Sequence, residues 1–189
     1  MNDSASVLIS LEDEITKELP KKRFEHTMNV VEKSLEMAEK YDANKLKAKI
    51  IALAHDRFRD TNDIELNNLI LKYEIDKKYM NNNDLAHGPV AAAYVKEKYG
   101  IEDDDIINGI KYHTTGRKDM SIQEKIIFLA DAIEKSRNYP GVSEIRAAAE
   151  QSLDCAVKES LQRTVNHLEK EGRTVDKHTL EALSDYKED

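Results

Sequence analysis

The stretch IIALAHDRFRD, Ile50 to Asp60, ends an apolar helical run by setting a histidine directly beside an aspartate, His55 and Asp56. Burying a neutral polar group without a partner costs roughly 2–7 kcal/mol, and a carboxylate costs more. Three further histidines, His26, His87 and His113, each fall where an apolar helical face meets a helix end or an adjoining loop. Asp131 sits inside IIFLADAI, a run too apolar for a carboxylate without a cause. Singly, each has an ordinary explanation as a hydrogen-bonded histidine or a capping acid. Together they supply neutral imidazoles and ionisable carboxylates from separate elements, the donors a divalent ion takes, and such an ion would offset the burial of the carboxylates. Adjacent helical residues point about 100° apart. His55 and Asp56 can therefore share one ion only at a widened helix edge, or address two neighbouring ions, the geometry of a bridging aspartate.

The elements that must position these groups are helical. Nearly every segment repeats apolar residues at helical spacing, and none sustains the strict alternation of a half-buried strand. Six glycines and three prolines in 189 residues fit the same all-α class. The spacing predicts helices over Ser10–Leu19, Arg23–Tyr41, Lys45–Asp56, the first part of Thr61–Asn83, Leu85–Tyr99 with Pro89 in its first turn, and Asp103–His113. Ser121 with Glu124 predicts a capping box for the helix through IIFLADAIEK. The loop RNYPG then leads into one long helix from Val142 to about Lys170, followed by a short one from near Asp176. No linker interrupts the chain, so it reads as a single domain with a core of about residues 20–185 and residues 1–19 as an N-terminal helix or extension.

The net charge of −8 weighs against a general nucleic-acid or anionic-membrane binder. A small anionic ligand in a local pocket stays open. Cys155 in SLDCAVKESL has no second cysteine to pair with, which points to a reducing cytoplasm, and its apolar surroundings read as a core position. MNDSASVLIS lacks a basic leader, and no apolar run approaches the roughly 20 residues of a membrane helix.

The order His26, His55-Asp56, His87, His113, Asp131 resembles the HD-domain superfamily of metal-dependent phosphohydrolases. The words RFEHTMNV, HGPVAAAYV, IKYHTTGR, EKIIFLADAIE and RNYPGVSEIR are similar to the YqeK-type family of symmetrical bis(5'-nucleosyl)-tetraphosphatases, over about Arg23 to Leu183. The resemblance implies an HD-domain helical bundle with a metal site between helices. It implies His26, His55, Asp56 and Asp131 as the primary metal ligands. Iron is the usual ion, although the ligand types also permit manganese or another divalent metal. His87 and His113 match positions that either hold a second metal or contact substrate phosphate, so a mononuclear and a dinuclear centre both stand. Asp56, Asp131, His87 and His113 are the catalytic candidates.

Substrate contacts follow less directly. Arg23, one turn before His26, can reach the same side of its helix and pair with phosphate, or remain an ordinary exposed arginine. His113-Thr114-Thr115-Gly116-Arg117 offers a hydroxyl at Thr114, a flexible turn and the Arg117 guanidinium as an anion-binding corner, with a solvated Arg117 as the alternative. In RNYPG, Arg137 and Tyr139 suit phosphate and base stacking, or Tyr139 only wedges the loop. EGRTVDKHTLEA resembles the family's C-terminal nucleotide loop, with Gly172, Arg173 and Thr174 as contacts. His26 also belongs near the substrate phosphates. His167 and His178 read as surface residues. Many HD proteins carry a lysine three positions after the aspartate, where this chain has Arg59. Arginine holds phosphate but does not deprotonate near neutral pH, so only a charge-stabilising role carries over.

The implied reaction is hydrolysis of a dinucleoside tetraphosphate such as diadenosine tetraphosphate to two ADP by a metal-activated water. The rivals are another HD-type phosphohydrolase, either a nucleotidase or a cyclic-nucleotide phosphodiesterase, and a nucleotide-binding sensor without turnover. A homodimer through an exposed helix face is compatible, but nothing in the sequence specifies one.

Overall fold

The structure is a computed structural model and describes residues 4–186. Ten α-helices and no strand occur among the described residues. In order they are α1 (Ser4–Glu18), α2 (Lys21–Lys40), α3 (Lys45–Ala54), α4 (Asp63–Lys72), α5 (Asn83–Tyr99), α6 (Asp104–Tyr112), α7 (Ile122–Ile133), α8 (Val142–Gln151), α9 (Leu153–Lys170) and α10 (Lys177–Ser184), with a 3₁₀ turn at Lys77–Tyr79. None is long and apolar enough to cross a membrane.

The centre of the bundle is α3, on which α1, α2, α5, α6 and α7 all pack. The first half of its sequence KLKAKIIALA keeps Lys45, Lys47 and Lys49 at the surface, whereas Ile50 through Ala54 are apolar and all buried, as the enclosed half of a central helix must be. Asn44 caps its start by accepting from the Lys47 N–H at 3.0 Å. The second inner helix is α7, where Ile126, Ile127, Leu129 and Ala130 are nearly inaccessible. Its expected capping box is present, with Glu124 N–H donating to Ser121 Oγ at 3.4 Å and Ser121 N–H to Glu124 Oε1 at 3.2 Å. Both helices deliver their C-terminal ends to the same place, α3 ending at His55-Asp56 and α7 carrying Asp131.

The sequence expectations need four corrections. The first helix begins at Ser4 rather than Ser10. The single helix expected from Val142 to Lys170 is two, because Ser152 adopts an extended backbone (φ −159°, ψ 139°) and caps α9 by accepting from the Asp154 and Cys155 N–H groups. That break carries Cys155 to an exposed position in the first turn of α9, not into the core. Helix α5 starts at Asn83, two residues before the expected Leu85, so Pro89 lies in its interior rather than its first turn and the Leu85 carbonyl loses its usual helical partner.

The N-terminal helix is tied to the centre by a buried carboxylate. Glu14, 6% exposed, accepts from Arg57 Nε (2.7 Å), Tyr94 OH (2.7 Å), Lys98 Nζ (2.5 Å) and Tyr99 OH (2.5 Å). Burial alone would raise its pKa, but the hydrogen bonds from Lys98, Tyr99, Arg57 and Tyr94 outweigh it and hold the carboxyl at about 2 instead of 4.5. A depressed carboxyl stabilises the fold above its unfolded pKa and loses that contribution as pH falls from about 4.5 towards 2. The effect at neutral pH is about 3 kcal/mol at most, from 1.36 kcal/mol per pH unit. We expect Glu14→Gln to lower the urea-unfolding free energy by roughly 2–3 kcal/mol at pH 7 and by much less near pH 3. Equal losses at both pH values would show that the Glu14 charge is not what anchors α1.

Candidate metal centre

His55 is the C-cap of α3, and beyond it the chain leaves the α-helix for tighter turns, with Arg57 N–H bonded to Ala54 O and Arg59 N–H to Asp56 O. This change of winding lets neighbours that would diverge on a regular helix serve one site. The Asp56 carboxylate, 4% exposed, lies among four imidazoles. Oδ2 is 3.5 Å from His26 Nε2 and 3.6 Å from His55 Nε2, while Oδ1 is 3.2 Å from His87 Nε2 and 3.6 Å from His113 Nε2. Two groups with metal-ligand spacing result, His26–His55–Asp56 and Asp56–His87–His113, and Asp56 belongs to both. Asp56 therefore shares one group with its neighbour His55, at the widened end of α3, and also faces the second group.

The imidazole tautomers suit ligation. Nδ1 of His55, His87 and His113 lies 2.7, 2.7 and 2.8 Å from the carbonyl oxygens of Ala52, Asn83 and Ile110. A carbonyl can only accept, so each Nδ1 carries the proton and donates it, leaving Nε2 as a bare lone pair when the ring is neutral. Burial pushes His55 down to about 4 and lowers His87, so both are neutral at pH 7. Burial also pulls on His113, but the adjacent Asp56 carboxylate more than reverses it and raises that pKa. The Nε2 atoms of His26 and His55 are buried without a hydrogen-bond partner. The bare Nε2 of neutral His55 and the Nε2 of His26 converge on the same Asp56 oxygen, a donor set in which a cation can replace protons, so the residues fit a divalent ion.

Two features tighten the arrangement. His87 and His113 face each other with Nε2 atoms 3.0 Å apart, because α5 and α6 approach closely at Gly88. A Cβ on Gly88 would come within 2.8 Å of the Lys111 carbonyl oxygen, so only glycine permits that spacing. The fully buried Glu134, one turn beyond Asp131 on the same face, lies 3.3 Å from His26 Nδ1 and is itself fixed by the Ser136 N–H and hydroxyl. Sequence reasoning missed Glu134. Its i, i+3 spacing from Asp131 was the available signal.

Asp131 joins the site differently from expectation. Its Oδ1 is 3.0 Å from His26 Nε2 but is also held by the Arg137 guanidinium at 2.6 Å. The RNYPG loop that carries Arg137 is braced by Arg146, whose guanidinium donates to the carbonyls of Ile133, Glu134 and Arg137 at the α7 C-terminus. Arg23 binds Asp56 and makes a two-pronged pair with Asp60. Burial lowers the His26 pKa, but the Asp131 and Asp56 carboxylates outweigh it and raise it to about 9.

A cavity of about 380 Å³ opens on this cluster, and its wall includes Asp56, His87, His113, Thr114, Asp131 and four arginines, Arg23, Arg59, Arg137 and Arg173. Thr174 lines it as well. Asp84, also missed in the sequence, bridges two of these arginines by accepting from Arg59 at 2.6 Å and Arg173 at 3.0 Å. Tyr139 lies outside it, with its hydroxyl donating to Ala132 O. Gly172 turns the chain at φ 67° but does not line the cavity. Arg117 does not line the cavity. Its guanidinium makes a two-pronged pair with the buried Glu124 at 2.6 Å on both arms and so braces the start of α7. His167 is exposed, and His178 packs edge-on against Tyr112, both away from the cluster.

Comparison with known proteins gives a consistent placement. The HD domain family model matches residues 23–136. A protein from Halalkalibacterium halodurans named symmetrical bis(5'-nucleosyl)-tetraphosphatase is 40% identical over 166 residues, covering 86% of this chain and 87% of that one. A protein of the same name from Staphylococcus aureus is 37% identical over 171 residues, covering 89% and 88%. The crystal structure of a predicted HD superfamily hydrolase involved in NAD metabolism, from Clostridium acetobutylicum, superposes with a TM-score of 0.86 at 31% identity, over 97% of this chain and 96% of that one.

If Glu134 orients His26 as a ligand, Glu134→Gln should weaken divalent-metal affinity roughly tenfold while leaving the helical circular dichroism spectrum unchanged. Competition against a chelator reads this directly. Unaltered affinity would remove Glu134 from the site.

Proposed function

The chain belongs to the HD domain family, and from that premise we propose that it is a metal-dependent phosphohydrolase that cleaves dinucleoside tetraphosphates symmetrically, diadenosine tetraphosphate giving two ADP. The observation that carries this reading is the Asp56 carboxylate set between two pairs of imidazoles at the head of an arginine-walled cavity. Imidazole and carboxylate donors without a thiolate suit iron, the ion we propose. His26, His55 and Asp56, with Asp131 alongside, would hold a divalent ion, which would supply Lewis acidity and lower the pKa of a water bound to it.

The protein's own groups account for the rest. Arg23, Arg59, Arg137 and Arg173 can take the tetraphosphate oxygens as two-pronged donors, and spreading the charge that develops on the transferred phosphoryl group is the largest expected contribution to rate. Until phosphate arrives, Asp56, Asp60, Asp84 and Asp131 hold these guanidiniums in place. His87 and His113 cannot both present bare lone pairs to each other at 3.0 Å, so a cation sits between them, either a proton or a second metal ion. The Thr114 hydroxyl, 3.1 Å from His113 Nε2, can follow that change by donating or accepting. Under this proposal the described bundle works as one domain in the cytoplasm. Its partner is a small nucleotide, and a second copy of the chain, if it pairs, has the exposed Ile64 and Leu71 of α4 available as a contact.

Incubation of metal-reconstituted protein with diadenosine tetraphosphate under anaerobic conditions, with products resolved by anion exchange, tests the proposal. ADP alone is expected, and Asp56→Ala and Asp131→Ala should lose roughly 10²–10³-fold or more in kcat, not only in KM. ATP plus AMP would mean asymmetric attack. Retained turnover in Asp56→Ala would sink the assignment.

A further inference from the structure

A second cavity, of about 990 Å³, lies on the other side of the same cluster. Arg23 and Arg137 line both cavities. His26 lines only the second, whereas Asp56, Asp131, His87 and His113 line only the first. The metal-ligand cluster and the two arginines are thus a partition with a hollow on each side. The first hollow, at about 380 Å³, is near the lower end of the roughly 300–1,000 Å³ range of small-molecule sites, room for one nucleoside diphosphate but not for two.

Resting on the proposed function, we propose that the second cavity is the binding site for the second nucleoside of the substrate. Symmetrical cleavage leaves two phosphates on each side of the broken bond, so from the reacting phosphorus a nucleoside monophosphate leads away in one direction and the leaving nucleoside diphosphate in the other. From the partition both directions open into a hollow. Its two arginines are suited to the phosphates that cross it. Once Asp56 and Asp131 serve as ligands, the guanidinium arms that now pair with them are released to phosphate oxygens.

Beyond the partition the chemistry changes in the way a nucleoside requires. Lys22, Arg23 and Arg137 are balanced there by Glu25, Asp60 and Glu134, so the second cavity does not favour the far end of a polyanion and suits an uncharged sugar and base. Tyr139, 37% exposed at this wall and fixed by its hydroxyl bond to Ala132 O, offers a ring on which a base can stack. Asn29 and Asn138 offer amides that can read the edge of an adenine. Tyr139, which the first cavity excludes, thereby acquires a role. Occupation of both hollows would also measure the chain on either side of the reacting bond, and so set the register that yields two equal products.

The test compares binding stoichiometry and two substrates. In equilibrium dialysis against excess ADP, metal-replete wild-type protein should bind two ADP per chain and Tyr139→Ala one. Tyr139→Ala should raise KM for diadenosine tetraphosphate roughly tenfold with little change in kcat, and should leave KM unchanged for adenosine 5'-tetraphosphate, which has no second nucleoside. Asn29→Ala, on α2 and independent of the RNYPG loop, should show the same selectivity in weaker form. One ADP per chain in the wild type, or equal effects of both variants on the two substrates, would overturn the inference. Failure of the wild type to cleave diadenosine tetraphosphate would instead count against the proposed activity, and the ADP stoichiometry would still decide whether a second nucleotide site exists.

Discussion

The Asp56 carboxylate is 4% exposed and has four imidazole Nε2 atoms within 3.6 Å of it. A charge that far from water is tolerated only when it is paired and hydrogen-bonded. Arg23 pairs with it directly, and the surrounding histidines outweigh desolvation and hold its pKa well below the usual carboxylate range. Much of the bundle is organised around supplying these partners. The second half of α3 is buried and apolar and ends where the carboxylate begins, α2 brings Arg23 and His26, and α5 and α6 bring the facing histidines.

Precision in such a site comes from what holds the ligands rather than from the ligands alone. Three of the imidazoles spend their Nδ1 proton on a carbonyl of their own helix three or four residues back, so helix geometry orients the rings. The fourth, His26, uses the Glu134 carboxylate from another element. Gly88 lets two helix backbones approach until two rings face each other. On the outer side, Arg57 joins the turn that carries Asp56 to Glu14 of α1, so the N-terminal helix braces the site from outside the matched family segment.

His55, Asp56 and Asp131 stood out because each sets a polar side chain in or at the end of an apolar run, the full set of six was legible only through its order along the chain, and the Ser121 cap was legible because its signal is local. What stayed hidden depends on partners distant in sequence. Nothing near Arg117 says that its guanidinium will meet Glu124 rather than phosphate, since both present paired oxygens. Glu134 reads as one more acid after an apolar helix until His26, 108 residues away, is brought against it. The Ser152 break was missed because residues on either side keep helical periodicity, and a serine that caps from an extended backbone differs from a mid-helix serine only in a dihedral angle. Cys155 followed that error to the surface.

The central claim is that Asp56 is shared between two sets of imidazoles that hold a divalent ion. Anomalous diffraction across the iron absorption edge, from crystals of anaerobically reconstituted protein, tests it most directly. The account expects an iron peak within coordination distance of His26 Nε2, His55 Nε2 and an Asp56 oxygen, with Arg23 withdrawn from that carboxylate. Iron-replete crystals in which the peak lies elsewhere, and Asp56 keeps its pairing to Arg23 with both Nε2 atoms unengaged, would contradict it.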